Sequence, residues 1–232
     1  NQDGNSGDIS IVFSKNKNTV IGIGLYDPKS PIRIKMIHFG DSVTIGDEFF
    51  HAKIKTAFSK RDLLLKTNTN SYRLLFGEND GFPGLIADVY AHVLVIKLYS
   101  EIWLPYLEVI LKELIAITNS EVAVMRLSRH LQNSQHISLN DGDIIYGKLD
   151  NEVVNFTEHG VQFSANVIKG HKTGYFLDHR HNRKRVGVLS KGKTVLDVFD
   201  NIGRTFTHTN IMLFWAVDLT FIGISRIISN KL

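Results

Sequence analysis

The chain has 232 residues, 43% hydrophobic and 22% charged, with a formal net charge of +4 and no cysteine. Such a composition suits a soluble globular protein of one to three domains and excludes the disordered and fibrous classes. The mild positive charge is compatible with a phosphate-backbone partner, and the absence of thiols excludes disulfides, thiolate metal sites and a cysteine nucleophile among these residues.

After a polar, Gly-rich start, NQDGNSG, the segments ISIVF (9–13), TVIGIGLY (19–26) and IRIKMI (32–37) alternate as strands and are separated by polar or Pro-containing turns. They predict a small, half-buried antiparallel β module with Ile32, Ile34 and Met36 inward and Arg33 and Lys35 between them. From Asp47 the period changes. DEFFHAKIKTAFSKRDLLLK puts Phe50, Ile54, Ala57, Phe58 and Leu65 near one helical face, with an acidic start and a basic end that suit the helix dipole. SYRLLFGENDGFPGLIADVYAHVLVIKLYS (71–100) predicts strand, turn, strand, turn, strand, because GENDGFPG is dense in turn formers.

A helix is predicted over IWLPYLEVILKELIAI (102–117), with Pro105 in its first turn. The strands EVAVMRL (121–127), DIIYGKL (143–149) and VVNFTEHGVQFSANV (153–167) follow, the last folded at Glu-His-Gly into a tight hairpin. The run GHKTGYFLDHRHNRKR (170–185) mixes glycine, aromatics, an acid and a basic cluster. It reads either as a solvated charged helix face or as a surface for an anionic or nucleotide-like ligand. Beyond it, TVLDVF suits a buried parallel strand, a Gly-containing loop leads toward a helix, and FWAVD ends a second apolar run on an acid. That order is the first half of a nucleotide-binding α/β unit, although DNIGRTF carries one glycine where such loops usually carry two or three.

Four blocks, GIGLYDPKSPIRIKMI, RLLFGENDGFPGLIADVY, NFTEHGVQFSANVIKGHKTGYFLDHRHNR and TVLDVF, run in order from about residue 20 to residue 200. Together they resemble the class I S-adenosylmethionine-dependent methyltransferases that carry an N-terminal PUA domain and modify large-subunit ribosomal RNA at cytosine C5. The resemblance implies a mixed α/β and α+β chain. Its parts are a partial PUA-like β module (1–45), a connecting helix (46–68), a central α+β domain (69–169) and the N-terminal part of a Rossmann-like methyltransferase domain (170–232). It implies S-adenosylmethionine as cofactor and ribosomal RNA as partner, and leaves a homodimer open.

The resemblance also implies a site. Lys172, Thr173, Gly174, Phe176, Asp178, Arg180 and Arg183 fall on the family's Lys-Thr-Gly block beside the cofactor pocket. Asp197, Phe199 and Gly203 fall on its first cofactor motif, and Asp218 on its ribose-binding acid. The chemistry suits those residue types: glycine lets backbone approach a ligand, an aromatic gives a stacking face, and arginine forks bind carboxylate or phosphate. Lys184 and Arg185 read instead as a solvated face.

Departures from the family pattern begin in the same region. Where the family reads approximately Phe-Ser-Tyr-Thr-Gly-Gly-Phe, this chain reads Phe199-Asp200-Asn201-Ile202-Gly203-Arg204-Thr205, and Arg204 takes space the ligand needs or pushes the loop outward. Asp218 follows Asp197 by 21 residues, closer than in the family. Cytosine C5 becomes nucleophilic only after a thiolate adds to C6, and no residue here supplies that thiolate, so no catalytic residue is assigned. With about two βα units where a Rossmann sheet needs several, the expectation is a truncated or decayed family member. Two functions follow as alternatives: a methyltransferase by descent, catalytically incomplete in this chain, or a non-catalytic RNA-binding fragment.

The remaining features carry less. His171, His179 and His181 lack the i, i+4 pairing with an acid that a zinc site requires, so no metal is expected. SRHLQNSQH (128–136) reads as an RNA-facing loop or, in preference, as a polar connection, and Asp47/Glu48 and Asp141/Asp143 as caps and turn formers. There is no apolar run of about 18 residues and no basic-then-apolar leader, so neither a membrane span nor a secretory signal is expected, and the default location is the cytoplasm.

Overall fold

Three short β-rich segments, a helix and a mixed sheet follow one another much as the periodicities require. The computed structural model describes residues 4–134 and 137–191, together with the backbone of two short strands at 206–208 and 211–213. The chain divides into two units, Asn1–Tyr175 and Phe176–Leu232.

The first unit opens with a three-stranded antiparallel sheet, β1 (Ile9–Phe13), β2 (Val20–Tyr26) and β3 (Ile34–Phe39), in that order. The alternation predicted for the third strand turns out to be inverted. Ile37 is the core residue at 2% exposure, while Ile32 is 68% exposed. The β2–β3 register shifts between Ile23 and Gly24, pairing Ile23 with His38 and Gly24 with Met36, and the extra residue, Ile37, is the one turned inward.

Helix α1 (Asp47–Ser59) buries Phe50, Ile54 and Ala57, with Phe58 and Leu65 packed at the margin, as its 3.6-residue pattern requires. The single helix expected through residue 66 is broken, however, and a separate turn, α2 (Asp62–Leu65), follows. Thr56 and Ser59 donate their hydroxyls to the carbonyls of Ala52 and Thr56, at 2.8 and 2.9 Å, competing with the helical ladder near its end. Arg61 is then drawn away to the carbonyl of Arg73 (2.9 Å) and to Asp80 (2.6 Å).

The centre of this unit is a five-stranded mixed sheet in the order β4 (Ser71–Phe76), β5 (Leu85–Tyr90), β6 (Val93–Leu98), β7 (Val122–Leu127) and β8 (Ile144–Tyr146). Only the β6–β7 pair is parallel, and its crossover carries α3 (Leu107–Thr118). Pro105 lies in a 3₁₀ turn, Glu101–Tyr106, rather than in the first turn of α3. Its missing N–H and fixed φ are tolerated there without interrupting an α-helical ladder. One sheet face, including Leu74, Leu85, Ile96 and Met125, packs against α1 and α3. Trp103 is fully buried in this layer and donates its indole N–H to the carbonyl of Pro83 at 2.7 Å.

Part of the opposite face is covered by the hairpin β9 (Val153–Glu158) and β10 (Val161–Asn166). Its turn is the expected Glu-His-Gly: His159 and Gly160 have φ of 50° and 81°, the paired left-handed conformation that suits a two-residue hairpin loop. Phe156 packs edge-on against Tyr90 and Tyr175, with ring centroids 5.4 and 5.0 Å away. SRHLQ, read as a polar connection, forms a short turn α4 (Arg129–Gln132), with the Ser128 hydroxyl accepting from the Leu131 N–H at 3.4 Å.

The GENDGFPG segment is fixed by Asp80, whose side chain is 3% exposed. It accepts from Arg61, from Lys60 (3.0 Å) and from the N–H of Phe76 (2.9 Å). Burial alone would raise its pKa, but these hydrogen bonds outweigh burial and hold it below the ordinary 3.8. A depressed carboxyl stabilises the fold fully above its unfolded pKa and loses that contribution as pH falls through the folded value. Asp80→Asn is therefore expected to cost about 1–2 kcal/mol at neutral pH and to flatten the acid limb of the stability curve below about pH 4; urea titrations of both proteins at several pH values check this.

In the second unit, α5 (Arg180–Leu189) follows a 3₁₀ turn at Leu177–His179. Its backbone also pairs β11 (Phe206–His208) antiparallel with β12 (Ile211–Leu213), where the sequence reading led a loop toward a helix. Phe, Thr and Ile are strand formers, and here that local preference prevails.

Candidate functional site

Side chains alternate across a strand, so Arg73 on β4 and Asp88 on β5, paired in register, project from the same sheet face. Both interrupt otherwise apolar strands. Asp88 is completely buried, and Arg73 chelates it, Nε to Oδ1 at 2.8 Å and Nη2 to Oδ2 at 2.9 Å. A third donor reaches the carboxylate from 85 residues away: Thr173 gives its hydroxyl proton to Oδ2 at 2.6 Å. That proton is thereby committed, so the Tyr90 hydroxyl, 2.9 Å from Thr173 Oγ1, is the donor of the next bond. Burial first, then the Asp88 charge, push the Tyr90 phenol far above its ordinary range, which keeps that proton in place.

The segment from Gly170 to Tyr175 is held at further points. Arg126, 6% exposed, donates through both Nη atoms to the carbonyl of Gly170 at 3.1 Å and is itself oriented by Asp141, Nε to Oδ1 at 3.0 Å. Lys97 donates to the carbonyl of Lys172 at 3.1 Å. Burial, and secondarily Arg126, lower the Lys97 pKa from its ordinary 10.5. Asn166 accepts from the N–H groups of Ile168 and Lys169 at 3.1 and 2.7 Å and starts the turn. Gly174 has φ of +128°, and a Cβ there would lie 3.0 Å from the Asn166 carbonyl, so this position needs glycine on both counts.

These bonds sort the expected site residues. Lys172, at φ +56°, exposes its side chain from the fastened loop. Thr173 is 1% exposed and turned inward, and its hydroxyl fastens the loop to Asp88. Gly174 is buried and shapes the turn. In the second unit, Arg183 donates to the carbonyl of Phe176 at 2.7 Å, and the Phe176 ring meets His179 edge-on at 5.8 Å. Asp178 keeps 51% of its side chain exposed, whereas Arg180 is buried at 8%. Lys184 and Arg185 are exposed on α5, as the solvated-face reading expects. Asp197, Phe199, Gly203 and Asp218 lie outside the described residues.

Arg73, Asp88, Tyr90, Lys97 and Arg126 were not among the expected site residues. The signal that could have found the first two is the lone charge at the inward position of each of two apolar strands, SYRLLF and LIADVY. Among the described residues, no His, Asp or Glu cluster could hold a metal ion, and no helix is long and apolar enough to cross a membrane.

The chain is 40% identical over 209 residues to a ribosomal RNA large subunit methyltransferase of Deinococcus radiodurans, covering 88% of this chain and 51% of that protein. Its sequence relatives are ribosomal RNA methyltransferases. A second, ribosomal RNA large subunit methyltransferase I of Shewanella frigidimarina, is 33% identical over 180 residues, covering 77% of this chain and 45% of that one. The chain thus spans about half the length of the curated relatives it matches. No family model matches it. Among solved structures, a protein described as a methyltransferase and complexed with SAH aligns with a TM-score of 0.65 at 17% identity, over 78% of this chain and 45% of that one. One described as a SAM-dependent methyltransferase from Streptococcus mutans gives 0.65 at 18%, over 82% and 47%. These structures support the mixed α/β fold.

Proposed function

We propose that the chain is the RNA-positioning and cofactor-approach part of an S-adenosylmethionine-dependent methyltransferase acting on large-subunit ribosomal RNA, with cytosine C5 as the target atom. The observation that carries this reading is the 40% identity across 88% of the chain to a ribosomal RNA large subunit methyltransferase. In this reading the three-stranded sheet of residues 9–39 belongs to a PUA-like RNA-binding module, and the Gly170–Tyr175 loop forms a wall of the cofactor pocket.

The residues present fit the cofactor in one definite respect. Thr173 and Gly174 hold the loop, and Lys172, exposed on it, is a cationic side chain of the type that suits a carboxylate such as that of the methionyl group. When bound, S-adenosylmethionine supplies an electrophilic methyl group. The chain's own contribution is to bind and orient. Lys97 and Arg126 turn the loop's carbonyls inward, so its outer side offers a cationic side chain rather than a row of acceptors. The target base would have to leave its stack to reach such a site.

A second reading is favoured by a specific observation. None of the 232 residues is cysteine, so none of them can add to C6 and activate C5. In that reading the chain binds structured RNA without catalysing methyl transfer. Isothermal titration of the full chain with S-adenosylmethionine separates the two. Heat with a dissociation constant below about 1 mM, together with a matching thermal upshift, is expected for the cofactor reading. No heat and no shift at millimolar ligand would leave only the RNA-binding reading.

A further inference from the structure

The sheet face that carries Arg73 and Asp88 is not covered along its whole length. Beyond the hairpin, its end presents Phe76 on β4 and, just past β6, Tyr99, each 48% exposed. The pairing places them on one face: Phe76 lies opposite Ile86, Ile86 opposite Lys97, and Tyr99 is two residues further along. Each ring has a cation against it. The Arg73 guanidinium lies 5.2 Å from the Phe76 centroid and the Lys97 ammonium 5.6 Å from that of Tyr99. Two half-exposed aromatic rings on one face at one cleft, rather than scattered singly, mark an interaction surface.

Both rings line one cleft of about 510 Å³, within the first unit, whose other walls include Lys29, Lys35 and His130. Its charges are not balanced alike. Lys29 is neutralised by Glu101, with both oxygens at 2.9 Å, and Asp27 is buried, accepting from the Ser100 hydroxyl at 2.7 Å. Lys35 donates to the neutral hydroxyl of Ser30 at 2.9 Å, a bond that leaves its charge uncancelled, while Glu78 is the exposed acid. Two π faces two strands and two residues apart, about 12 Å by strand geometry, with Arg73 and Lys97 against the rings and Lys35 on the cleft wall, match the chemistry of splayed bases on a phosphate backbone. An apolar protein segment would gain nothing from the cations, and a small anion would have no use for the rings.

We propose that this end of the central sheet is a docking platform for single-stranded RNA, with Phe76 and Tyr99 stacking one base each and Lys35 meeting the backbone. The proposal rests on the RNA-directed reading above and deepens it by naming where the strand lies. The test is fluorescence anisotropy of the full chain with a labelled single-stranded RNA of mixed sequence and about 12 nucleotides, a length spanning one such site, between about 50 and 200 mM salt.

Phe76→Ala and Tyr99→Ala are each expected to weaken binding about tenfold with an unchanged salt slope. Lys35→Met should weaken it and reduce the slope by about 0.7, one phosphate's share for a single strand. Leu63→Ala, an 81% exposed side chain on α2 outside both the cleft and the three-stranded sheet, should bind as the parent does. Parent-like binding by both cleft variants would overturn the platform and leave the RNA-directed reading standing. No binding by the parent at low salt would overturn both. Loss of self-association in the cleft variants with unaltered RNA affinity would assign the cleft to protein contact and overturn the proposal.

Discussion

Replacing Arg73 with methionine is expected to lower the unfolding free energy by about 3–5 kcal/mol, the range for breaking a buried ion pair from one side. Asp88 has no exposed surface, and Arg73 supplies two of the three side-chain donors its carboxylate receives. Methionine keeps the length and much of the volume of the side chain, so the loss is that of the charge partner rather than of packing. The remaining hydroxyl of Thr173 cannot replace a bidentate fork, so the buried carboxylate loses most of its pairing. Arg73→Lys should recover only part of the loss, because an ammonium satisfies one oxygen at a time. Urea unfolding of the three proteins gives the comparison directly, and a methionine variant within about 1 kcal/mol of the parent would show that the pair is not the keystone of this face.

Much of the fold was legible because it is local. β1 occupies ISIVF as predicted, the Glu-His-Gly hairpin turns at His159–Gly160, and α1 buries the face its period selects. Two of the misreadings fall where a distant partner decides. The inward turn of Ile37 depends on a bulge in the pairing with β2, and the break after Ser59 on Arg61 reaching Arg73 and Asp80. Asp88 and Thr173, 85 positions apart, meet only because the sheet and the Gly170 turn bring them together. The candidate loop shows the same limit at the scale of one residue. GHKTGY reads as ligand-binding chemistry, yet nothing in the letters distinguishes a threonine aimed at a ligand from one aimed at a buried acid. Residue type announces hydrogen-bonding capacity, and only the fold assigns the partner.

Thr173 is where that distinction can be tested. Valine has nearly the same shape, so Thr173→Val leaves no cavity and isolates the hydroxyl. Its loss removes a donor from the Asp88 carboxylate and the short acceptor from the Tyr90 hydroxyl, which retains only the Tyr175 carbonyl at 3.4 Å. The expected cost is about 2–3 kcal/mol, the scale of a hydrogen bond to a charged group, read as a lower urea midpoint with unchanged slope. Thr173→Ser keeps the hydroxyl and should restore most of it. If the loop is a cofactor wall, the valine variant, measured where it is fully folded, should also bind S-adenosylmethionine at least about tenfold more weakly, because a loop loosened at this point must be reordered on binding. Lys172→Ala then separates loop shape from loop contact. That side chain is exposed, so its removal should leave stability within about 0.5 kcal/mol while still weakening the cofactor. Full cofactor affinity in both variants, alongside the predicted stability loss in the first, would mean that the loop fastens the fold and contacts no ligand, so that whatever the chain binds is held elsewhere.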